Sequence, residues 1–144
     1  MTKVLILDPG ESTGWLLVKL DSDEYSIISG GTMPKDHNVV GTLISFEKPD
    51  VIVYETFNMY PGKAKALSWN SFYPCEVIGV IKYEAFKVGA ELVGLRPSTK
   101  KYAGGFDYPE WIKFRSSHDY TEHTKDTWLL FMYWYRNKYT QRKK

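Results

Sequence analysis

Two short apolar runs, each closed by an acidic residue, constrain what this chain can fold into more than any other feature. Lys3 to Leu7 carries Val4-Leu5-Ile6-Leu7 and ends at Asp8; Asp50 to Glu55 carries Val51-Ile52-Val53-Tyr54 and ends at Glu55. Unbroken apolar runs of this length, rich in β-branched residues, predict strands covered on both faces. Pro9 and Gly10 force a turn directly after Asp8. Both acids therefore stand at the C-terminal ends of buried strands, where open α/β sheets form their crevices.

The remaining elements follow from periodicity. The chain resumes as a strand from about Gly14 to Leu20 and again from Tyr25 to Thr32, with Asp21-Ser22-Asp23 as the turn, so three strands form an antiparallel meander. Val39, Val40, Leu43, Ile44 and Phe46 approximate a helical stripe that stops at Lys48-Pro49. Thr56 to about Asn70 shows no apolar period and reads as a loop, with a helix as the alternative towards its end. Val77, Ile78, Ile81, Ala85 and Val88 predict a helix with Gly89 as C-cap, followed by a strand from Glu91 to Leu95 that Arg96-Pro97 stops. Ser98 to Thr121 reads mainly as loop with room for a short helix, and His123 to Lys138 as an aromatic-rich helix with Thr121 as N-cap. The order β-β-β-α-β-α-β-α predicts one α/β domain over residues 1–144, a mixed sheet with helices on both faces.

Composition narrows the classes without choosing among them. The length is that of one domain, and no segment has the composition of a disordered chain. A net charge of +2 is low for a nucleic-acid module, but Lys63 with Lys65, Arg96 with Lys100 and Lys101, and the run from Arg136 to Lys144 form local positive islands. Any one such island is ordinarily a solvated surface. Cys75 is the only cysteine, which excludes an internal disulfide and a Cys-rich zinc site. It reads as a small buried hydrophobe. No apolar run approaches the ~20 residues that cross a bilayer, and no signal peptide precedes the first strand, so the expected compartment is the cytoplasm.

The chemistry-bearing residues are Asp8, Glu55, His123 and Asp126. If the first and fourth strands are neighbours, Asp8 and Glu55 meet, and two adjacent carboxylates resist joint ionisation unless a cation lies between them. His123 and Asp126, three residues apart, project from one face of the last helix, whereas Glu122 points about a third of a turn away. Hard Mg²⁺ suits such oxygen donors. Four ligands of this kind, gathered, would hold two ions ~3.5–4 Å apart, the spacing used to displace phosphodiesters. Singly, each residue has a plainer role: Asp8 as a turn former, Glu55 as the start of a loop, His123 and Asp126 as the polar opening of a helix.

The ordered set resembles the RuvC-type Holliday-junction resolvases of the ribonuclease H-like superfamily, in phage or bacterial form. Asp8-Pro9-Gly10-Glu11-Ser12-Thr13-Gly14-Trp15 is similar to that family's DPGxxxTG opening. Val51 to Glu55 resembles its second motif, and His123-Thr124-Lys125-Asp126 its last; Arg96 to Lys101 follows the fifth strand in the expected place. The resemblance implies a ribonuclease H-like mixed five-stranded sheet, three antiparallel strands then parallel ones. It implies metal-dependent cleavage of four-way or other branched DNA by paired phosphodiester hydrolysis. Mg²⁺ would be the cofactor, with Mn²⁺ substituting and two ions per site, held by Asp8, Glu55, His123 and Asp126. Phe57, Met59 and Tyr60 would fall where relatives carry an apolar wedge, and Lys63, Lys65, Lys100 and Lys101 would contact phosphates. The helix near residues 73–88 would form a homodimer, with Gly79 allowing close approach. His123 departs from the carboxylate of many relatives.

Other readings of the same residues are an actin-like or sugar-kinase ATPase, a ribonuclease H that cuts RNA–DNA hybrids, and a non-catalytic branched-DNA-binding protein. The first needs two Asp-x-Gly halves, and a second such strand is absent.

Overall fold

The computed structural model describes residues 1–22, 24–56, 73–117 and 120–139, without the side chains of residues 101, 102, 138 and 139. Phe57, Met59, Tyr60, Lys63 and Lys65 therefore lie outside the described residues, as does the side chain of Lys101. The strands are β1 (Thr2–Asp8), β2 (Thr13–Asp21), β3 (Glu24–Met33), β4 (Val51–Glu55) and β5 (Glu91–Leu95). The helices are α1 (His37–Glu47), α2 (Tyr73–Val88), α3 (Pro109–Arg115) and α4 (Glu122–Trp134), with a 3₁₀ helix at Pro97–Tyr102 and a π-helical turn at Tyr135–Tyr139 after α4.

The sheet order is β3-β2-β1-β4-β5. β1–β2 and β2–β3 are antiparallel, while β1–β4 and β4–β5 are parallel. The expected mixed five-stranded α/β sheet is the one that forms, and β1 lies at its centre. A central strand explains the unbroken apolar run: Val4 and Ile6 enter one core, Leu5 and Leu7 the other. Behind the first face sit Trp111, Trp128, Phe131 and Trp134 of α3 and α4; α1 and α2 cover the second with Val40, Ile44, Val77 and Ile81. At the N-terminal edge, the Lys3 amide donates to Asp50 Oδ2 (2.8 Å) and Lys3 Nζ pairs with Glu47 (3.3 Å), which tie the starts of β1 and β4 together.

Helix ends follow their caps. The Asp36 side chain accepts from the Asn38 amide (2.8 Å) to open α1, and Lys48, at φ 47°, closes it before Pro49. Thr121 and Thr124 cap α4 reciprocally, each side chain accepting from the other's amide (2.9 and 3.3 Å).

Two expectations are corrected. The stretch after β5, read mainly as loop, contains the 3₁₀ helix and α3. α3 is too short to show a period; Pro109 starts it, and Trp111 and Phe114, three apart, bury its inner side. Cys75 is exposed rather than buried, because Val77, Ile81 and Ala85 set the inward face of α2. Among the described residues, no helix is long and apolar enough to cross a membrane.

Candidate active site

The parallel pairing of β1 with β4, with Leu7 opposite Tyr54, places Asp8 and Glu55 side by side at the C-terminal edge of the sheet. The two carboxyl groups are close enough for Glu55 to act directly on the ionisation of Asp8. From β5, the next strand over, the chain continues into the 3₁₀ helix and returns Lys100 to this edge. Its Nζ lies 2.9 Å from Glu55 Oε2 and 3.8 Å from Asp126 Oδ1. Three acids from β1, β4 and α4 thus surround one ammonium. Sequence reasoning found the acids. It assigned Lys100 to phosphate contact and did not foresee the ammonium between them, although Lys100 follows Leu95, the register partner of Glu55, by only five residues.

The arrival of α4 depends on Gly14, which stands opposite Asp8 in the β1–β2 ladder. A Cβ at Gly14 would lie 2.6 Å from the His123 carbonyl oxygen and 2.9 Å from its carbonyl carbon and Cβ. Only a glycine lets the first turn of α4 close on the sheet here. A hydrogen bond between the Thr32 and Thr121 hydroxyls (2.7 Å) holds the same helix end to β3. Trp128 anchors the next turn, stacked on Trp111 at 5.1 Å and donating to the Gly105 carbonyl (3.1 Å). His123 is exposed on this first turn, with its Cβ beside Gly14, and Glu122 is exposed next to it.

Electrostatics mark the cluster as short of positive charge. Burial, then the hydrogen bond and the charge of Glu55, push Asp8 up from 3.8 to about 8; Lys100 opposes the shift and Asp126 adds to it. Burial pulls Lys100 down, but its hydrogen bond to Glu55 and the charges of Glu55, Asp8 and Asp126 outweigh this and leave it above the ordinary lysine value. In the metal-free protein at neutral pH, Asp8 is therefore held mainly in its protonated form.

A carboxyl raised on folding contributes stability that is whole below its unfolded value and is lost as pH rises through its folded value. Metal-free protein should accordingly lose stability between about pH 4 and pH 8, by an amount of the order of a few kcal/mol. Thermal melts in EDTA across that range check this; a flat profile would contradict the buried, protonated Asp8.

The donor chemistry fits a hard divalent cation: carboxyl oxygens at rigid strand ends, one of them held protonated by burial and then by its acidic neighbour. As they stand, no three His, Cys, Asp or Glu side chains among the described residues are grouped to hold an ion, and Lys100 occupies the space between Glu55 and Asp126. Cation entry would therefore be coupled to displacement of the Lys100 ammonium.

No family model matches the chain, and no curated protein sequence matches it. Solved structures do. RuvC of Thermus thermophilus in complex with a Holliday-junction substrate aligns at a TM-score of 0.66 and 15% identity, over 94% of this chain and 96% of that one. The yeast mitochondrial Holliday-junction resolvase aligns at 0.60 and 14%, over 94% and 78%. The Fowlpox virus resolvase, solved with Holliday-junction DNA, aligns at 0.52 and 12%, over 98% and 97%. At these identities the likeness is one of fold, and it runs nearly end to end: the chain has the RuvC-like ribonuclease H fold.

Proposed function

We propose that this protein is a divalent-metal-dependent endonuclease that cleaves branched DNA, four-way junctions above all, by phosphodiester hydrolysis. The observation that carries the reading is the convergence of Asp8, Glu55 and Asp126 on one edge of the sheet, in a fold shared with Holliday-junction resolvases over nearly the whole chain. Asp8, Glu55 and Asp126, joined by His123 from the same helix turn, would hold Mg²⁺ or Mn²⁺, two ions per site. At such a set a divalent cation supplies activation of the attacking water and stabilisation of the leaving 3′-oxygen.

The chain's own residues do the rest. β1 and β4 fix Asp8 and Glu55 on buried strands, and Gly14 holds Asp126 in reach. Lys100, displaced from the carboxylates, would turn its ammonium to the phosphate, with Lys101, Lys63 and Lys65 lengthening the cationic track. Phe57 and Tyr60, directly beyond Glu55, would stack on bases opened at the branch point.

Paired cuts on a four-way junction suit a two-fold dimer. α2 supports one. Gly79, Tyr83 and Phe86 fall on one helix face, with nothing within 4 Å of a Gly79 Cβ, and Tyr83 and Phe86 are 63% and 84% exposed; Phe46 of α1 is 80% exposed. Phe86→Glu should convert a dimer to monomer and uncouple the two cuts. Light scattering on the purified variant checks the mass, and an unchanged dimer would exclude this face.

The deciding experiment is cleavage of labelled four-way, three-way and linear DNA and of an RNA–DNA hybrid, with Mg²⁺, Mn²⁺ or EDTA. Metal-dependent paired nicks near the branch point are the expected result. Cleavage of the hybrid alone would make the protein a ribonuclease H, and binding without cutting a non-catalytic junction protein.

A further inference from the structure

Beside α4, the connection from β5 borders a cavity of about 320 Å³ lined by Phe106, Trp111, Arg115, Tyr120 and Lys125. Among the described residues its lining is specific: three aromatic rings, two cations and no acid. Trp111 packs edge-on against Tyr120 (5.7 Å between centroids) and tilted against Phe106 (6.3 Å). Lys125 Nζ stands 5.6 Å from the Phe106 ring centre. Arg115 and Lys125 are exposed, and Phe106 is exposed on one side at 38%.

Trp111 adds an independent observation. It is 1% exposed, yet its indole N–H has no hydrogen-bond partner among the described residues. Buried tryptophan N–H groups are ordinarily paired, and one left without a partner carries a desolvation penalty that an acceptor entering the cavity would relieve.

We propose that this cavity takes an unstacked nucleobase of the bound DNA strand, with Arg115 and Lys125 on the phosphates either side of it. Trp111 is itself stacked on Trp128 (5.1 Å) and Phe114 (5.8 Å). The base would therefore stack on the partly exposed rings of Phe106 and Tyr120, which accept any base, while its edge acceptors suit the indole N–H. An acidic or apolar ligand is a poorer match: the first would not use three rings, and the second would strand two cations. Position supports the assignment. Lys125 and Asp126 are successive residues of α4, about 100° apart around its axis, so the cavity and the carboxylates would grip the same strand a short distance apart. The inference rests on the nuclease reading and adds to it a second grip, which would hold the scissile phosphate in register.

The test is an abasic scan. A four-way junction with a single abasic residue walked outward from the branch point along each strand is titrated with the protein in Ca²⁺, and binding is followed by fluorescence anisotropy. One position should lose about tenfold in affinity, the effect of one lost stacking contact. Phe106→Ala should bind the intact junction about tenfold more weakly and show no further loss at that position. Phe106→Tyr should restore binding, and melting of each variant establishes that it is folded. Arg115→Gln and Lys125→Gln should weaken all junctions evenly and lessen the salt dependence. A flat scan, or Phe106→Ala binding as tightly as the parent, overturns the cavity assignment while wild-type junction binding and cleavage leave the nuclease reading standing. Wild-type protein that neither binds nor cuts branched DNA overturns both.

Discussion

Replacing Asp8 with Asn is expected to lower junction cleavage by about a thousandfold or more, while junction affinity changes by no more than about twofold. The Asp8 carboxyl is the most centrally held acid of the cluster, fixed on the middle strand beside Glu55. Asn keeps the size but removes the charge that a cation would need. The same substitution should leave the metal-free protein as stable as the parent or more so above pH 8, because it deletes a buried carboxyl that resists ionisation up to about 8. Glu55→Gln should also abolish cutting, but should destabilise, since Glu55 is the partner of the Lys100 ammonium at 2.9 Å. Single-turnover cleavage, anisotropy and melting on the two variants separate these effects. Full cleavage by either variant would remove the carboxylate cluster from the chemistry.

Gly14→Ala should have the largest effect of any change that leaves the acids untouched. Its Cβ would meet the His123 carbonyl oxygen at 2.6 Å, and backbone rather than a mobile side-chain tip is what must yield. Overpacking of this kind costs about 1–3 kcal/mol, a fall in melting temperature of roughly 3–10 °C for a chain of this size. The rate should suffer more than the stability. Moving the first turn of α4 off the sheet carries Asp126 from Glu55 and Asp8, and a misplacement near 1 Å costs about a hundredfold. A variant that melts lower but cuts at the parental rate would show that α4 reaches the site by another contact.

Much of this arrangement was legible before any coordinates. Asp8 and Glu55 could be placed because an unbroken apolar run has one meaning for a central strand, and because Pro9-Gly10 ends the first run immediately. The Thr121 cap was legible too, since a capping threonine acts within one turn. What stayed hidden depends on distant pairings. Gly14 reads as a strand start in sequence; its role appears only when His123, over a hundred residues later, packs against it. Lys100 belongs to a surface-like basic stretch until the parallel pairing of β4 and β5 swings it over Glu55. α3 could not be placed within its stretch because two buried aromatics three residues apart are too few to show a period, and Cys75 was misread because neighbouring apolar residues suggested a face that α2 turns elsewhere.

The dependence of the site on α4 has a consequence for how the protein comes into being. Asp8 and Glu55 leave the ribosome well before Asp126 and the tryptophan that anchors its helix. A sheet that forms during translation therefore carries two acids without their third member. On the proposed reading the carboxylate group is completed only once α4 has been made, so a chain that stops short of Asp126 would lack one of its three acids.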